Sequence, residues 1–280
     1  MALSLVEHFN AKELKSKIIF LFATFIVHRK HHLRDAITLL QEAYSSGIDN
    51  GDFEYASNAA VSKCRYSFFN GLKLTELERE MAFYSNAIAQ LEAGNNLSQN
   101  QMHHQVVLNL LSIDENSCCL EGDAYDEEKS LPFHLAVNDK NSLHLLYLYK
   151  LILCYLLGKF TQALENATSA EQYLEGTIGM VSVPNFHFYD SLVRLVVYLS
   201  VSKSEQKQLL FKVISNQDKL LKWAHYAPMN FQHKYDLVQA EKARVLGNIL
   251  EAEDFYQRAI AGACKNEYIQ GKRTLFPNKN

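Results

Sequence analysis

Three histidines, His28, His31 and His32, fall within one short run, VHRKHHLR. At helical spacing His28 and His32 share a face, and two neutral imidazoles on one face can take Zn²⁺ and activate water for hydrolysis. The same run carries Arg29, Lys30 and Arg34, so it also reads as a basic patch at a helix end, where cations suit the dipole. No acid-rich stretch follows to complete a ligand set. Asp123, Asp126, Glu127 and Glu128 form a second group that could supply paired acids. Acidic residues also favour the first turn of a helix, which explains them without a pocket. The third group is the richest in aromatic and imidazole rings: Trp223, His225, Tyr226, Phe231, His233 and Tyr235. It could line a ligand groove, or it could be a packed joint around Pro228. We take it as the candidate interaction surface.

Other chemistry is missing from the sequence. No G-x-x-x-x-G-K-[ST] loop is present, because Gly158-Lys159 is followed by Phe160 and lacks the upstream glycine. No kinase catalytic loop or Asp-Phe-Gly occurs, and no glycines have dinucleotide spacing. The chain therefore reads as non-enzymatic, with no metal and no cofactor. Cys64, Cys118, Cys119, Cys154 and Cys264 are an odd number without metal-ligand spacing, which reads as free thiols in a reducing, cytoplasmic compartment. A net charge of −3 gives no reason to expect nucleic acid or an anionic membrane as partner. The most apolar run, Ile18 to Val27, is ten residues long. That is half of the roughly 20 needed to cross a bilayer, so no membrane association is expected.

The elements that must hold these residues are helices. With 280 residues, 48% apolar, and only 4 Pro and 11 Gly, the chain can build a large core but not a turn-rich β-fold. Apolar residues recur at helical spacing throughout, giving about twelve helices. Phe231 to Cys264 sets the pattern: two periodic runs flank Gly247-Asn248, with Ala240, Ala252 and Ala259 where two backbones must approach. Gly158-Lys-Phe160-Thr-Gln-Ala163, then Ala170, repeats Gly247-Asn-Ile249-Leu-Glu-Ala252, then Ala259. A weaker copy lies at Leu33, Ala36, Leu40 and Ala43, with His31 at the turn. This is the layout of a tetratricopeptide-type hairpin, which buries its apolar face by stacking on neighbours.

The same periodicity predicts the boundaries. A first helix runs from Ala11 to Lys30, and the next ends at Ser45-Ser46-Gly47. Asp52 caps a third, which Asn70-Gly71 breaks, and Thr75-Glu-Leu-Glu78 opens a fourth as a capping box. The polar stretch Glu92 to Gln101 reads as a surface loop before a short helix from His103 to Leu111. Pro228 sits in the first turn of its helix. The expected domain is 1–270, one continuous helical-repeat array, with 271–280 an irregular tail.

Several stretches carry a family resemblance: Gly51-Asp-Phe-Glu-Tyr-Ala56, Gly122-Asp-Ala-Tyr-Asp-Glu-Glu128, Lys150-Leu-Ile-Leu-Cys-Tyr155, Gly179-Met-Val-Ser-Val-Pro184 with Phe188-Tyr-Asp-Ser191, Trp223 to Phe231, and Asn266-Glu-Tyr-Ile-Gln270. They resemble the helical region of very large, chiefly cyanobacterial, multi-sensor signalling proteins. Those proteins join a serine/threonine kinase, an ATPase of the AAA/STAND type, a GAF sensor and often a histidine kinase on one chain. The resemblance spans about Lys17 to Gln270 and implies a non-catalytic, TPR-like regulatory arm that couples kinase or ATPase modules to a sensor by protein contacts. The family pattern continues into another Ala-rich helix where this chain turns to Gly-Lys-Arg-Thr-Leu-Phe-Pro. That departure predicts a split or truncated member with an open apolar face near Phe255, Ala259 and Cys264. The alternative is a metal-dependent hydrolase or small-ligand sensor, using the His28 cluster or a pocket near Trp223.

Overall fold

The protein is described by a computed structural model that covers residues 8, 9, 11–91, 93–112 and 117–268. The tail 271–280 lies outside the described residues. Twelve α-helices and four 3₁₀ turns make up the described structure, with one isolated β-bridge between Glu121 and Asp126. The fold is all-α, as the periodicity requires. None of the described helices is long and apolar enough to cross a membrane. The described residues divide into two compact units, those up to 112 together with 120–127, and 117–119 together with 128–268.

The first unit contains α1 (Lys15–Phe25), α2 (Leu33–Asn50), α3 (Phe53–Asn70), α4 (Leu74–Gln90) and α5 (Gly94–Leu111). Each packs against the next, and α3 also touches α1 and α5. Helix α3 is buried on most of its circumference. Its neighbours supply Leu77, Met81, Tyr84, Ile88 and Val107 around Ala60, Val61 and Cys64.

The second unit contains α6 (Glu127–Ala136), α7 (Lys140–Leu156), α8 (Phe160–Gln172), α9 (Ser182–Val197), α10 (Lys203–Tyr226), α11 (Pro228–Val245) and α12 (Ile249–Lys265). From α7 onward successive helices pack in order, and α9 also touches α7 and α11. Asp139 caps α7 by accepting the Ser142 N–H at 3.1 Å. Ser202 and Glu205 form a reciprocal capping box at the start of α10.

The two repeat copies turn in the same way. Gly158 and Gly247 both take left-handed backbone angles, φ 74° and 83°. In each, the next N–H reaches back to the helix: Lys159 to the Cys154 carbonyl at 2.8 Å, and Asn248 to the Ala243 carbonyl at 2.9 Å. These are Schellman closures, which satisfy the last carbonyls of a helix. The following helix then opens in the same register, Ala163 N–H to Lys159 O and Ala252 N–H to Asn248 O, both 3.0 Å. Ala163, Ala167 and Ala170 of α8, and Ala252, Ala259 and Ala263 of α12, are all buried.

Four expectations need correction. The third equivalent turn is not at His31 but at Gly51, where φ is 75° and Asp52 N–H reaches the Gly47 carbonyl at 2.8 Å. Gly51-Asp-Phe-Glu-Tyr-Ala56 is the true counterpart of the other two copies. Gly47 is accordingly not a C-cap but lies inside α2. A Cβ there would stand 2.8 Å from the Ala56 Cβ and 2.9 Å from the Ser16 Oγ, so glycine is needed for close approach.

The second concerns Thr75-Glu-Leu-Glu78, which forms no capping box, since α4 begins at Leu74 with no side-chain cap. Third, the polar stretch after Ala93 is not a loop. It is the first half of α5, held because its amides bond inward: Asn96 to the Ser57 Oγ at 2.8 Å, and Asn100 to the Met81 carbonyl and Ser85 Oγ at 2.9 Å each.

The fourth is the open face expected near Phe255, Ala259 and Cys264, which is only partly open. Ala259 packs on the α11 side at 1% exposure, Phe255 lies under the Arg258 guanidinium at 4.8 Å, and Cys264 is exposed. The large apolar residues of α12 that are exposed are Ile249 and Leu250 at its start. The seven-and-four spacing buries Ala252, Ala259 and Ala263 on one face of α12.

Candidate functional site

The His28 run does not gather into a ligand set. Helix α1 stops at Phe25, and a 3₁₀ turn over Val27–Arg29 rotates the histidines onto different surfaces. His28 is buried, with its Nδ1 3.3 Å from the Tyr66 hydroxyl, which donates to the Thr24 carbonyl. Burial, and then the neighbouring Arg29, hold its imidazole down to about 4, so it is neutral in the core. His32 instead caps α2, its Nδ1 accepting the Arg34 N–H at 3.1 Å. His31 is exposed. The acids near Asp126 are used locally. Glu127 accepts the Leu120 N–H at 2.8 Å, and Asp123 is exposed.

All five cysteines are free thiols. Burial pushes the Cys64 thiol up to about 12, and burial followed by the adjacent Cys118 thiol raises Cys154 further still. Both stay protonated at neutral pH and are poor nucleophiles.

The aromatic group around Trp223 is positioned by the joint between α10 and α11. Tyr226 ends α10, and Ala227 precedes Pro228, whose fixed φ opens α11. Ala224, Ala227 and Phe231 form a small core there, with Trp223 and Met229 packed over it. Trp223 lies 6.4 Å from Phe231 and 5.7 Å from the His187 ring of α9. His187 Nδ1 is 2.8 Å from the Asn216 Oδ1. The Asn216 amide donates to Asp190 Oδ2 at 2.7 Å, which leaves its oxygen to accept from His187 and fixes the Nδ1–H tautomer. Arg194 Nε in turn donates to Asp190 Oδ1 at 2.8 Å. Burial, then Lys219, lower His187 to about 4. This is a satisfied buried network joining α9 to α10, with a neutral imidazole beside the indole.

The six candidate surface residues therefore divide. Phe231 and His233 are buried in packing, and Trp223 is half-buried. Tyr235 is partly buried and accepts from Gln239 at 2.8 Å. His225 and Tyr226 point outward, with Tyr226 68% exposed. The sequence reading missed a larger apolar surface beside them. Phe211, Ile214 and Leu221 of α10 are 77%, 49% and 48% exposed. Their spacing of three and seven, with His225 four further on, puts them on one helical face. In sequence they look like ordinary core positions, because Leu209, Val213 and Leu220 alternate with them and are buried.

No family model, curated protein or solved structure matches this chain.

Proposed function

We propose that the chain is a non-catalytic, TPR-like helical-repeat arm that works by protein contact in the cytoplasm. Its partner is a kinase, ATPase or sensor module of the signalling type that the sequence resembles. The observation that carries this reading is the open apolar face of α10, Phe211, Ile214 and Leu221, ending at His225 and Tyr226. Large apolar side chains that cluster on one exposed face mark interaction sites more often than chance surface exposure does. Aromatic groups among them are the usual anchors. A repeat array also presents long faces whose residues are free of the folding requirement. Of the residues that could have done chemistry, His28 lies in packing, His32 caps a helix and Glu127 makes a local hydrogen bond, which supports the reading.

The test begins with the DNA on either side of the coding region. Any kinase, ATPase or sensor module encoded there is produced and titrated against the full chain, and the absence of all three would equally count against the reading. We expect one of them to bind, with an affinity at least about tenfold weaker for Phe211→Glu, whose exposed position leaves folding intact. Absence of binding by every such module, or binding that ignores both Phe211→Glu and Ile214→Glu, would sink the reading.

A further inference from the structure

Helix α1 is apolar on almost every side, yet only one side of it is covered. Ser16, Ile19, Ala23 and Thr24 are buried, and the helix packs against α2 and α3. Leu14, Leu21, Phe22 and Ile26 are 40–46% exposed, with Ile18 and Phe25 half-buried among them. A helix that is hydrophobic all round is normally buried all round. Leu14, Ile18, Leu21 and Phe25 follow one another at steps of four, three and four. That is the spacing of a seam that receives a second helix.

The charge around this seam has one sign. From Lys12 to Arg34 the chain carries six cations, Lys12, Lys15, Lys17, Arg29, Lys30 and Arg34, against the single acid Glu13, although its net charge is −3. Lys17 stands at the edge of the seam, three residues after Leu14 and four before Leu21. Its Nζ lies 5.2 Å from the centre of the Tyr55 ring of α3, and Lys15 meets Glu42 of α2 at 3.0 Å. Lys12 sits at one end of the seam, and Arg29 and Lys30 at the other, all three exposed. Among the described residues no carboxylate pairs with Lys12, Lys17, Arg29 or Lys30. A second copy of the chain would set these cations against their own kind, whether the two helices ran parallel or antiparallel. The negative net charge disfavours an anionic bilayer. A helix that brings carboxylates meets neither objection.

We propose that the exposed face of α1 is a docking site for an amphipathic helix of another protein, one that presents an aliphatic seam flanked by Glu or Asp. Its aliphatic side chains enter between Leu14, Ile18, Leu21 and Phe25. Its carboxylates meet Lys12 and Lys17 at one end of the seam and Arg29 and Lys30 at the other. This face shares no residue with the one on α10, so the two readings stand or fall separately.

The full chain is titrated, by fluorescence anisotropy, against two labelled synthetic helices of three heptads, each ~30 Å long. Both carry Leu along the seam, and the flanking positions are Glu in one and Lys in the other. At low salt the Glu helix is expected to bind at least about tenfold more tightly than the Lys helix, and the gap should narrow as salt screens the charges. Leu21→Glu sets a charge in the seam and should weaken the Glu helix at least about tenfold. Lys17→Glu reverses one edge charge, so it should weaken the Glu helix and strengthen the Lys helix, a pairing of effects that loss of folding does not give. Failure of the Glu helix to bind, equal affinity for both helices, or affinity that ignores both substitutions overturns the proposal. A chain that sediments as a dimer and becomes a monomer with Leu21→Glu also overturns it, because a second copy then covers the face. Capture by phosphatidylserine vesicles that Leu21→Glu abolishes overturns it in favour of a lipid surface. Should Leu21→Glu fail to fold, Lys17→Glu and the two helices decide the matter.

Discussion

Helices α4 and α5 of the first unit and helices α11 and α12 of the second are both neighbouring pairs, yet they are joined by different forces. Between α4 and α5 the contact is directional. Asn100 is fully buried and bonds to the Met81 carbonyl and the Ser85 hydroxyl. Between α11 and α12 polar bonds also cross, Tyr256 to Glu241 and Arg258 to Asp236 at 2.9 Å, but small side chains set the close approach. Ala240 and Ala243 face Ala252, Ala259 and Ala263, all nearly without exposure. A polar join tolerates a composition that looks like loop, and an alanine join tolerates almost no added volume. The first unit extends its polar habit inward. Arg65 is buried and donates to His103 at 3.0 Å and Gln99 at 3.2 Å, while Lys63 pairs with Glu80.

Acid should have the largest effect, and it should reach both units. His28 and His103 of the first unit, and His187 of the second, are buried with imidazoles held below the usual range by desolvation first. Their folded values lie under the unfolded value of about 6.5, so the neutral form is favoured on folding. Stability is therefore full above about pH 6.5 and falls as pH drops toward 4. A group that ends near 4 costs roughly 3 kcal/mol over that interval. Amide protection around these three histidines should therefore fall between about pH 6.5 and 4. Hydrogen exchange with mass spectrometry between pH 7 and 4 measures this, and protection unchanged at pH 4 would remove the expectation.

Added volume should hurt the alanine join. Ala259→Leu forces α12 away from α11 and is expected to cost about 1–3 kcal/mol by denaturant melting. Gly47→Ala belongs to the same class, although it lies in the first unit, because its Cβ would meet Ala56 and the Asp52 carbonyl at 2.8 Å. A cost near zero for Ala259→Leu would mean that the two helices do not approach as described. Removing polarity should hurt the other join. Asn100→Ala deletes two hydrogen bonds at a fully buried site and is expected to cost about 1–2 kcal/mol. The smallest change expected is Gly94→Ala at the start of α5, where a Cβ would meet nothing within 4 Å. It should stabilise by about 0.5 kcal/mol by narrowing the unfolded ensemble, provided that this polar segment is helix and not loop.

The corrections to the sequence reading share one cause. Asn96, Gln99 and Asn100 look like solvent-facing residues, and only the positions of Ser57, Arg65, Met81 and Ser85 show that the amides have partners inside. His28 and His32 look like one face until the helix ends between them. Phe211 and Ile214 look like core until Val213 and Leu220 are seen to take the inner side. In each case local composition is unchanged, and the neighbour decides the role.

The sequence by itself determined that this protein is helical and where two of its repeated turns fall. Helical periodicity and glycine's access to left-handed angles are local properties, so Gly158 and Gly247, with the buried alanines that follow them, were legible in one dimension. Only the tertiary structure decided which of Gly47 and Gly51 ends α2, which polar residues are interior, and which of the six aromatic and imidazole candidates remain at the surface. Those outcomes depend on distances between residues far apart in the chain, and a single sequence carries no direct record of them.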